Sequence, residues 1–422
     1  MINFFTKTLI FLFLIILTAF WSYENPEIFE KVKCTIKYED KCKKKMNVFI
    51  PEEVQKKEAV NIEANAFSIK LEEIISLNSK TAFLLNDSKG KSFNKENIFI
   101  YTQNGYKISK KKKKKLKLNK NFNSDFNGGI KTIFFHNKNE YALVSSARDT
   151  CYYASIVDLN TGNEIFNTDC LPDLEEDSAI DFNGLGSSFV DFDDYILLSL
   201  GVPTTDSLRI YNLSQNSNSF FGKILKINKE DLKNNLIRPE VFTSGHRNPQ
   251  GITVNNKKIF SVEHGPKGGD ELNLIIKGEN YGWPLASYGT RYLYHKDGKS
   301  YPMNHAKLGF KDPLYSFIPS IGINSLNNCP SVLKKYYKKN CLLATSLYGN
   351  KLRPGKSLVI FLLDETSTKV DALEKILLND KLPLRHFLTN NKNEIFEDTN
   401  GSIYLSSDYN AVYRISFEDF RR

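Results

Sequence analysis

The signatures of several large enzyme classes are missing from this 422-residue chain. No Walker loop, no Rossmann glycine signature and no Ser-His-Asp pattern occurs. That removes the sequence grounds for a P-loop NTPase, a dinucleotide-binding enzyme or a serine hydrolase. Histidine is sparse at six copies, so few side chains are available to move protons near neutral pH. None of the six cysteines falls in a zinc-ligand spacing. Long amphipathic helical patterns are nearly absent too, which argues against a helical bundle. Tyrosine and phenylalanine are plentiful instead, at 21 and 30 copies, and they favour strands.

Broad basic character is also lacking, despite a formal charge of +10. Residues 107–120 (KISKKKKKKLKLNK) hold nine lysines and no acid, which leaves about +1 of the +10 for everything else. No arginine–aromatic interleaving of the kind that grips single strands accompanies the run, so no nucleic-acid partner is expected. The run reads as a solvated loop. A weaker alternative is attraction to an anionic membrane surface, where each nearby lysine contributes ~1 kcal/mol.

Residues 1–22 read as a signal peptide or an N-terminal membrane anchor. Lys7 precedes an apolar run from Leu9 to Trp21, short of the ~20 residues of a spanning helix. No small-x-small cleavage site follows it, so both options stay open. Residues 23–46 read as a lysine-rich leader and residues 47–422 as the folded body. The expected location is the periplasm, or a membrane-anchored position facing the periplasm or exterior. An even cysteine count in an exported chain favours disulfides. The six fall into local couples, Cys34 with Cys42, Cys151 with Cys170 and Cys329 with Cys341, although sequence alone leaves the pairing open.

A loose repeat runs from about residue 139 onward. Residues 140–146 precede 154–160, 195–201 precede 222–228, and 258–263 precede 270–276. Residues 341–346 then precede 357–363, and 402–407 precede 411–417. Each couple is two apolar strands bounded by turn residues. This recurrence suits propeller blades with long insertions better than a double-sheet sandwich. The fold class is therefore all-β. One further blade is expected between residues 47 and 131, where the strand signal is poor.

Residues 244–289 carry the densest chemistry: GHRNPQG, then EHGPKGGDELNLI beyond a short apolar strand, then NYGWP. Asn-Pro biases the chain into a turn, so Arg247 and Gln250 can project the same way. A guanidinium pairs with carboxylates in a bidentate fork. A Gly-Pro turn presents successive carbonyls free of ladder bonds, and calcium takes six to eight oxygen ligands, carbonyls among them. The combination suits an anionic ligand held together with a hard cation. A satisfied turn, with Arg247 paired to Glu263, is the alternative.

This stretch resembles the glucose/sorbosone dehydrogenase family, soluble sugar dehydrogenases that use pyrroloquinoline quinone (PQQ). The resemblance is close over residues 245–284 and looser from about Cys151 to the C-terminus. It implies a six-bladed β-propeller with the quinone and calcium on the central axis. It also implies an oxidoreductase acting on the anomeric CH–OH of a small sugar, with calcium assisting hydride transfer. The positions matching quinone contacts are Arg247, Asn248, Gln250 and Arg385. The carbonyls of Gly265 and Pro266 match ligands of the cofactor-bridging calcium. Glu271 and the Tyr281 carbonyl match part of a second calcium site.

The chain departs from the family pattern at five places, one of them Ser187 where the family has an arginine. Asn183 occupies the position of the general-base histidine, and an amide accepts no proton near neutral pH; loss of a positioned base costs ~10²- to 10⁴-fold in rate. Val202 replaces an acid, Pro383 an arginine, and Tyr348 a lysine, for which Lys351 or Lys356 is a possible replacement. Of the other histidines, His386 lies nearest the expected axis. Two functions follow: a PQQ-dependent aldose dehydrogenase, or a catalytically degenerate exported propeller that binds ligands or partners.

Overall fold

The computed structural model describes residues 59–88, 93–109, 112–173, 180–205, 207–234, 237–291, 301–347, 356–378, 382–408 and 411–421. The signal or anchor segment, the leader, Cys34, Cys42, His295, Tyr348 and Lys351 lie outside these residues. Among the described residues, no helix is long and apolar enough to cross a membrane.

The body opens with β1 (Val60–Glu63) and β2 (Ser68–Ser76), an antiparallel pair. Four-stranded antiparallel units then follow in chain order. The first holds β3 (Thr81–Asn86), β4 (Ile98–Thr102), β5 (Tyr106–Ser109) and β6 (Lys112–Lys115). The second holds β7 (Ile130–His136), β8 (Asn139–Arg148), β9 (Cys151–Asp158) and β10 (Glu164–Asn167). The third holds β11 (Phe189–Asp191), β12 (Tyr195–Leu200), β13 (Lys223–Asn228) and β14 (Glu240–Thr243).

The fourth is β15 (Pro249–Asn255), β16 (Lys258–Glu263), β17 (Asp270–Ile275) and β18 (Tyr315–Phe317). The fifth is β19 (Ile323–Asn328), β20 (Cys341–Ser346), β21 (Ser357–Leu363) and β22 (Val370–Leu377). Last come β23 (Leu384–Thr389), β24 (Ile403–Ser407) and β25 (Ala411–Glu418), and β2 supplies their fourth strand by pairing along β25. First and last units meet where β23 and β3 pair in parallel at Leu388–Leu84 and Thr389–Leu85.

The first strands of the units touch in sequence: β3 with β7, β11 with β15, β15 with β19, and β19 with β23, which returns to β3. This is a β-propeller-like arrangement, and the first strands gather around one axis. The five strand couples read from the repeat are the second and third strands of their units. Those strands are buried on both faces, so their sequences run apolar without interruption, as in ILLSL of β12 and LVIFLL of β21. The turns agree with their residues. Asn137–Lys138 and Asn256–Lys257 take positive φ at both positions (48° and 68°; 47° and 63°) and close two-residue hairpins.

Two expectations change. Residues 112–115 of the lysine run are not loop; they form β6, paired with β5 and exposed at the sheet edge. Backbone bonds order that strand without any apolar side chain, and a lysine-rich edge resists pairing with other chains. The weakly read region before residue 131 supplies a whole unit (β3–β6), but it also donates β2 to the last one. Cys151 pairs with Cys170 and Cys329 with Cys341, with Cα separations of 5.2 and 5.5 Å.

Candidate functional site

A polar cleft opens at the N-terminal ends of the first strands. Thr81 and Ala82 come from β3, Lys131 from β7, Gln250 from β15, and Arg385 with His386 from β23. The loop before β11 contributes Asn183 and Leu185 to Ser187, and Lys80, Gln103 and Asp408 complete the wall. A second, small cavity is lined by Arg247, Glu263, Gly265, Pro266, Glu271, Tyr281 and Trp283, among others. The residues singled out from sequence therefore divide. Asn183, Gln250 and Arg385 face the axial cleft, while Arg247, Gly265, Pro266, Glu271 and Tyr281 face the second cavity.

Asn248 joins the two. Its side chain is 3% exposed. Its Oδ1 accepts from the Gly186 N–H at 2.9 Å and from Gln250 Nε2 at 2.8 Å. Its Nδ2 donates to the Asn183 carbonyl at 3.2 Å and lies 3.3 Å from His264 Nδ1. The approach is close enough that a Cβ on Gly186 would sit 2.2 Å from Asn248 Oδ1, so only glycine fits there.

Asn183 lies in a single 3₁₀ turn (Phe182–Gly184) capped by Asp181, whose carboxylate accepts from the Asn183 N–H at 2.8 Å and its Nδ2 at 3.2 Å. The Asn183 amide is a donor here. Arg385 spans Asp408 in a bidentate pair, Nε to Oδ1 at 2.6 Å and Nη2 to Oδ2. Burial opposes ionisation of Asp408, but the guanidinium outweighs it and holds the carboxyl below its ordinary range. The His386 ring is pushed down to about 3 by burial and by Arg385. It is neutral at physiological pH and a weak base.

Around the second cavity, the Arg247 guanidinium donates to the His264 carbonyl at 3.1 Å and lies 5.3 Å from the Trp283 ring. The pairing expected between Arg247 and Glu263 exists through the backbone, N–H to Oε2 at 2.7 Å. Glu263 also bonds His246 Nδ1 and Asn273 Nδ2, both at 2.9 Å. Burial works against its charge, yet His246 and the Arg247 and Asn248 N–H groups prevail and hold its carboxyl below the usual value. Glu271 goes the other way: burial first, then the charge of Glu263, push its carboxyl well above the carboxylate range. Asp270 pins the Gly-Pro turn by accepting from the Gly265 N–H at 3.0 Å. The Pro266 carbonyl is 3.4 Å from Ser320 Oγ. Tyr281 is held by its hydroxyl, which donates to the Leu274 carbonyl at 2.6 Å.

Sequence reasoning missed Lys80, Gln103 and Lys131. They lie in the region where strands read poorly, and no local motif marks them. The one available signal is a lysine near the start of an otherwise apolar strand (IKTIFFH) straight after Gly128–Gly129. His136 and His305 line neither cavity.

Fold and cleft together define a β-propeller-like protein whose axial opening is lined by cations and amides. The chain belongs to the glucose/sorbosone dehydrogenase family, whose profile matches residues 174–410. It is 48% identical over 63 residues to the aldose sugar dehydrogenase YliI of Escherichia coli, 14% of this chain and 17% of that one. The stretches matched in the curated relatives span between 16% and 29% of their lengths. The fold is similar to that of the soluble aldose sugar dehydrogenase of Escherichia coli in its apo-form (TM-score 0.61, 19% identity, 82% of this chain and 99% of that one). It is also similar to the PQQ-bound aldose sugar dehydrogenase of Streptomyces coelicolor (TM-score 0.50, 17% identity, 87% and 100%).

Proposed function

We propose that this chain is an exported, PQQ-dependent aldose dehydrogenase that oxidises the anomeric carbon of a small sugar. The axial cleft carries this reading. Lys80 and Arg385 converge there with the amides of Gln103 and Gln250, a set that suits a flat, polycarboxylate, carbonyl-rich ligand. The cleft also holds an orphan: Ser187 Oγ, in a residue 6% exposed, has no protein partner. Buried polar groups find partners, and a polar ligand would supply one. When bound, the quinone would accept hydride from the sugar. Arg385 and Gln250 would hold its carboxylates and carbonyls, Asn248 would set Gln250, and Arg247 would brace the wall between the cavities.

By resemblance to the family, a calcium ion would belong at the second cavity. Among the described residues no group of three or more His, Cys, Asp or Glu is arranged to hold a metal, so a site here would rest mainly on the Gly265 and Pro266 carbonyls. Glu271 and the Tyr281 carbonyl would serve a further ion, whose charge would offset both the burial of Glu271 and its repulsion from Glu263. The disulfides support an extracytoplasmic location.

Asn183 favours a second reading, a binding module without turnover, because its amide donates to Asp181 and accepts nothing. The discriminating experiment is calorimetric titration of the calcium-loaded full chain with PQQ, followed by dye reduction over a panel of aldoses. Saturable binding with sugar-dependent reduction is expected. Binding without reduction selects the second reading, and no binding sinks both cofactor assignments.

A further inference from the structure

We infer that Lys131 is the proton acceptor of the axial cleft, standing in for the side chain that residue 183 does not provide. The inference rests on the dehydrogenase reading above. Lys131 is the second residue of β7 and faces the cleft beside Asn183, Gln250 and Arg385. Its Nζ donates to the Asn127 carbonyl at 2.8 Å and to the Phe182 carbonyl at 2.7 Å. Phe182 immediately precedes Asn183, so the amine is fastened to the same turn that should carry the base.

The valence of the amine matters. A neutral primary amine has two N–H donors and one lone pair. Both donors have carbonyl partners, so the remaining tetrahedral position is the lone pair, available to a proton from a bound hydroxyl. The two carbonyls fix Nζ in place without neutralising it, because neither is a carboxylate.

The other groups facing the cleft are less suited. Asp408 is spanned by Arg385. The His386 ring, at about 3, is too weak to take a proton efficiently at neutral pH. Asn183 is a donor. Lys131 is pushed down to about 7, by burial first, then by Arg385 and Lys80, with Asp181 opposing. An acceptor matched to the working pH is the efficient one.

In the step, Nζ would take the proton of the anomeric hydroxyl while the C1–H hydride leaves with its electron pair. The sugar would lose two electrons and become the lactone, and a bound quinone would be the two-electron acceptor. The resulting ammonium returns its proton to water at the cleft mouth.

Two measurements on the full chain test this. The first is the pH dependence of acetylation of each lysine in the quinone-free protein by limiting acetic anhydride, read by peptide mass spectrometry. Lys131 should show a midpoint near 7, against ~10.4 for exposed lysines. The second compares wild type with Lys131→Arg, which keeps a cation and donors, and with Lys131→Met. Both variants should bind PQQ within about threefold of wild type and reduce dye ~10²- to 10⁴-fold more slowly. The wild-type rise of kcat/KM through about pH 7 should vanish in both. A labelling midpoint near 10, or wild-type turnover in Lys131→Arg, overturns the inference while leaving the dehydrogenase reading intact. A wild-type protein that binds no quinone overturns that reading instead, and the catalytic assignment of Lys131 falls with it.

Discussion

A single amide, Asn248, determines where the loop of residues 183–187 sits relative to β15. Its Oδ1 serves two donors and its Nδ2 two acceptors, across the wall between the two cavities. Replacing it with alanine strands the Gly186 N–H and releases Gln250. Each buried polar group left unpaired costs about 1–3 kcal/mol. Asn248→Ala should therefore lower stability by about 2 kcal/mol in urea denaturation and weaken PQQ binding in calorimetry by at least about tenfold. Retention of wild-type affinity would mean that Gln250 holds its place unaided. In the sequence, Asn248 stands out only through the resemblance to the family. Its bridging role is not legible there, because Gly186 and Asn183 lie 62 and 65 positions away and become its neighbours only when two units pack.

Lys223 plays a comparable part for an element. It starts β13, is 1% exposed, and sends its ammonium into three carbonyls: Leu213 at 2.9 Å, Ser214 at 2.8 Å and Phe221 at 3.0 Å. Those carbonyls belong to the connection between β12 and β13. Ser214 continues the chain of contacts, its Oγ donating to the Trp283 carbonyl at 2.6 Å. A buried lysine therefore anchors the connection that supports the wall of the second cavity. Lys223→Met keeps most of the apolar volume and leaves three carbonyls without donors. A loss of about 3 kcal/mol is expected in denaturant unfolding, with a change in tryptophan fluorescence of the folded state reporting Trp283. No pattern in GKILKIN separates this lysine from Lys226, which sits on the same strand half-exposed beside Glu240.

At the scale of the molecule, closure and charge act together. β2 pairs with β25, so chain ends more than 300 residues apart share one sheet, and cooperative unfolding is expected. The buried ionisable groups give that stability a definite pH course. Lys131 and Lys223 are both pushed down to about 7, chiefly by burial. Between about pH 7 and ~10.4 the unfolded chain binds more protons than the folded one, so stability rises with pH. His386, depressed to about 3, adds a rise below pH ~6.5 on the same logic. Burial raises Tyr101 and Tyr404 above the usual tyrosine value, with Glu140 and Asp398 reinforcing it. Their contribution is complete below pH ~10 and lost above it. From about pH 7 to 9.5 the two lysines should raise the calorimetric Tm, against the opposite slope of the raised Glu271 carboxyl, and Lys131→Met should flatten that rise. A Lys131→Met profile identical in slope to wild type above pH 7 would contradict the depressed value of Lys131.

The sequence by itself determined the class of fold and the density of chemistry near residues 244–289. Both follow from local rules: short apolar runs bounded by turn residues make strands, and Arg-Asn-Pro-Gln and Gly-Pro turns project particular groups wherever they occur. It also showed that Asn183 cannot act as a base, because that is a property of the side chain. Only the tertiary structure decided that Arg247 and Gln250 serve different cavities and that a run of lysines is an edge strand. It likewise placed Lys131 beside the turn that holds Asn183. Those outcomes depend on which strand ends meet at the axis and on how much water is excluded there, and both are set by contacts between units distant in the chain.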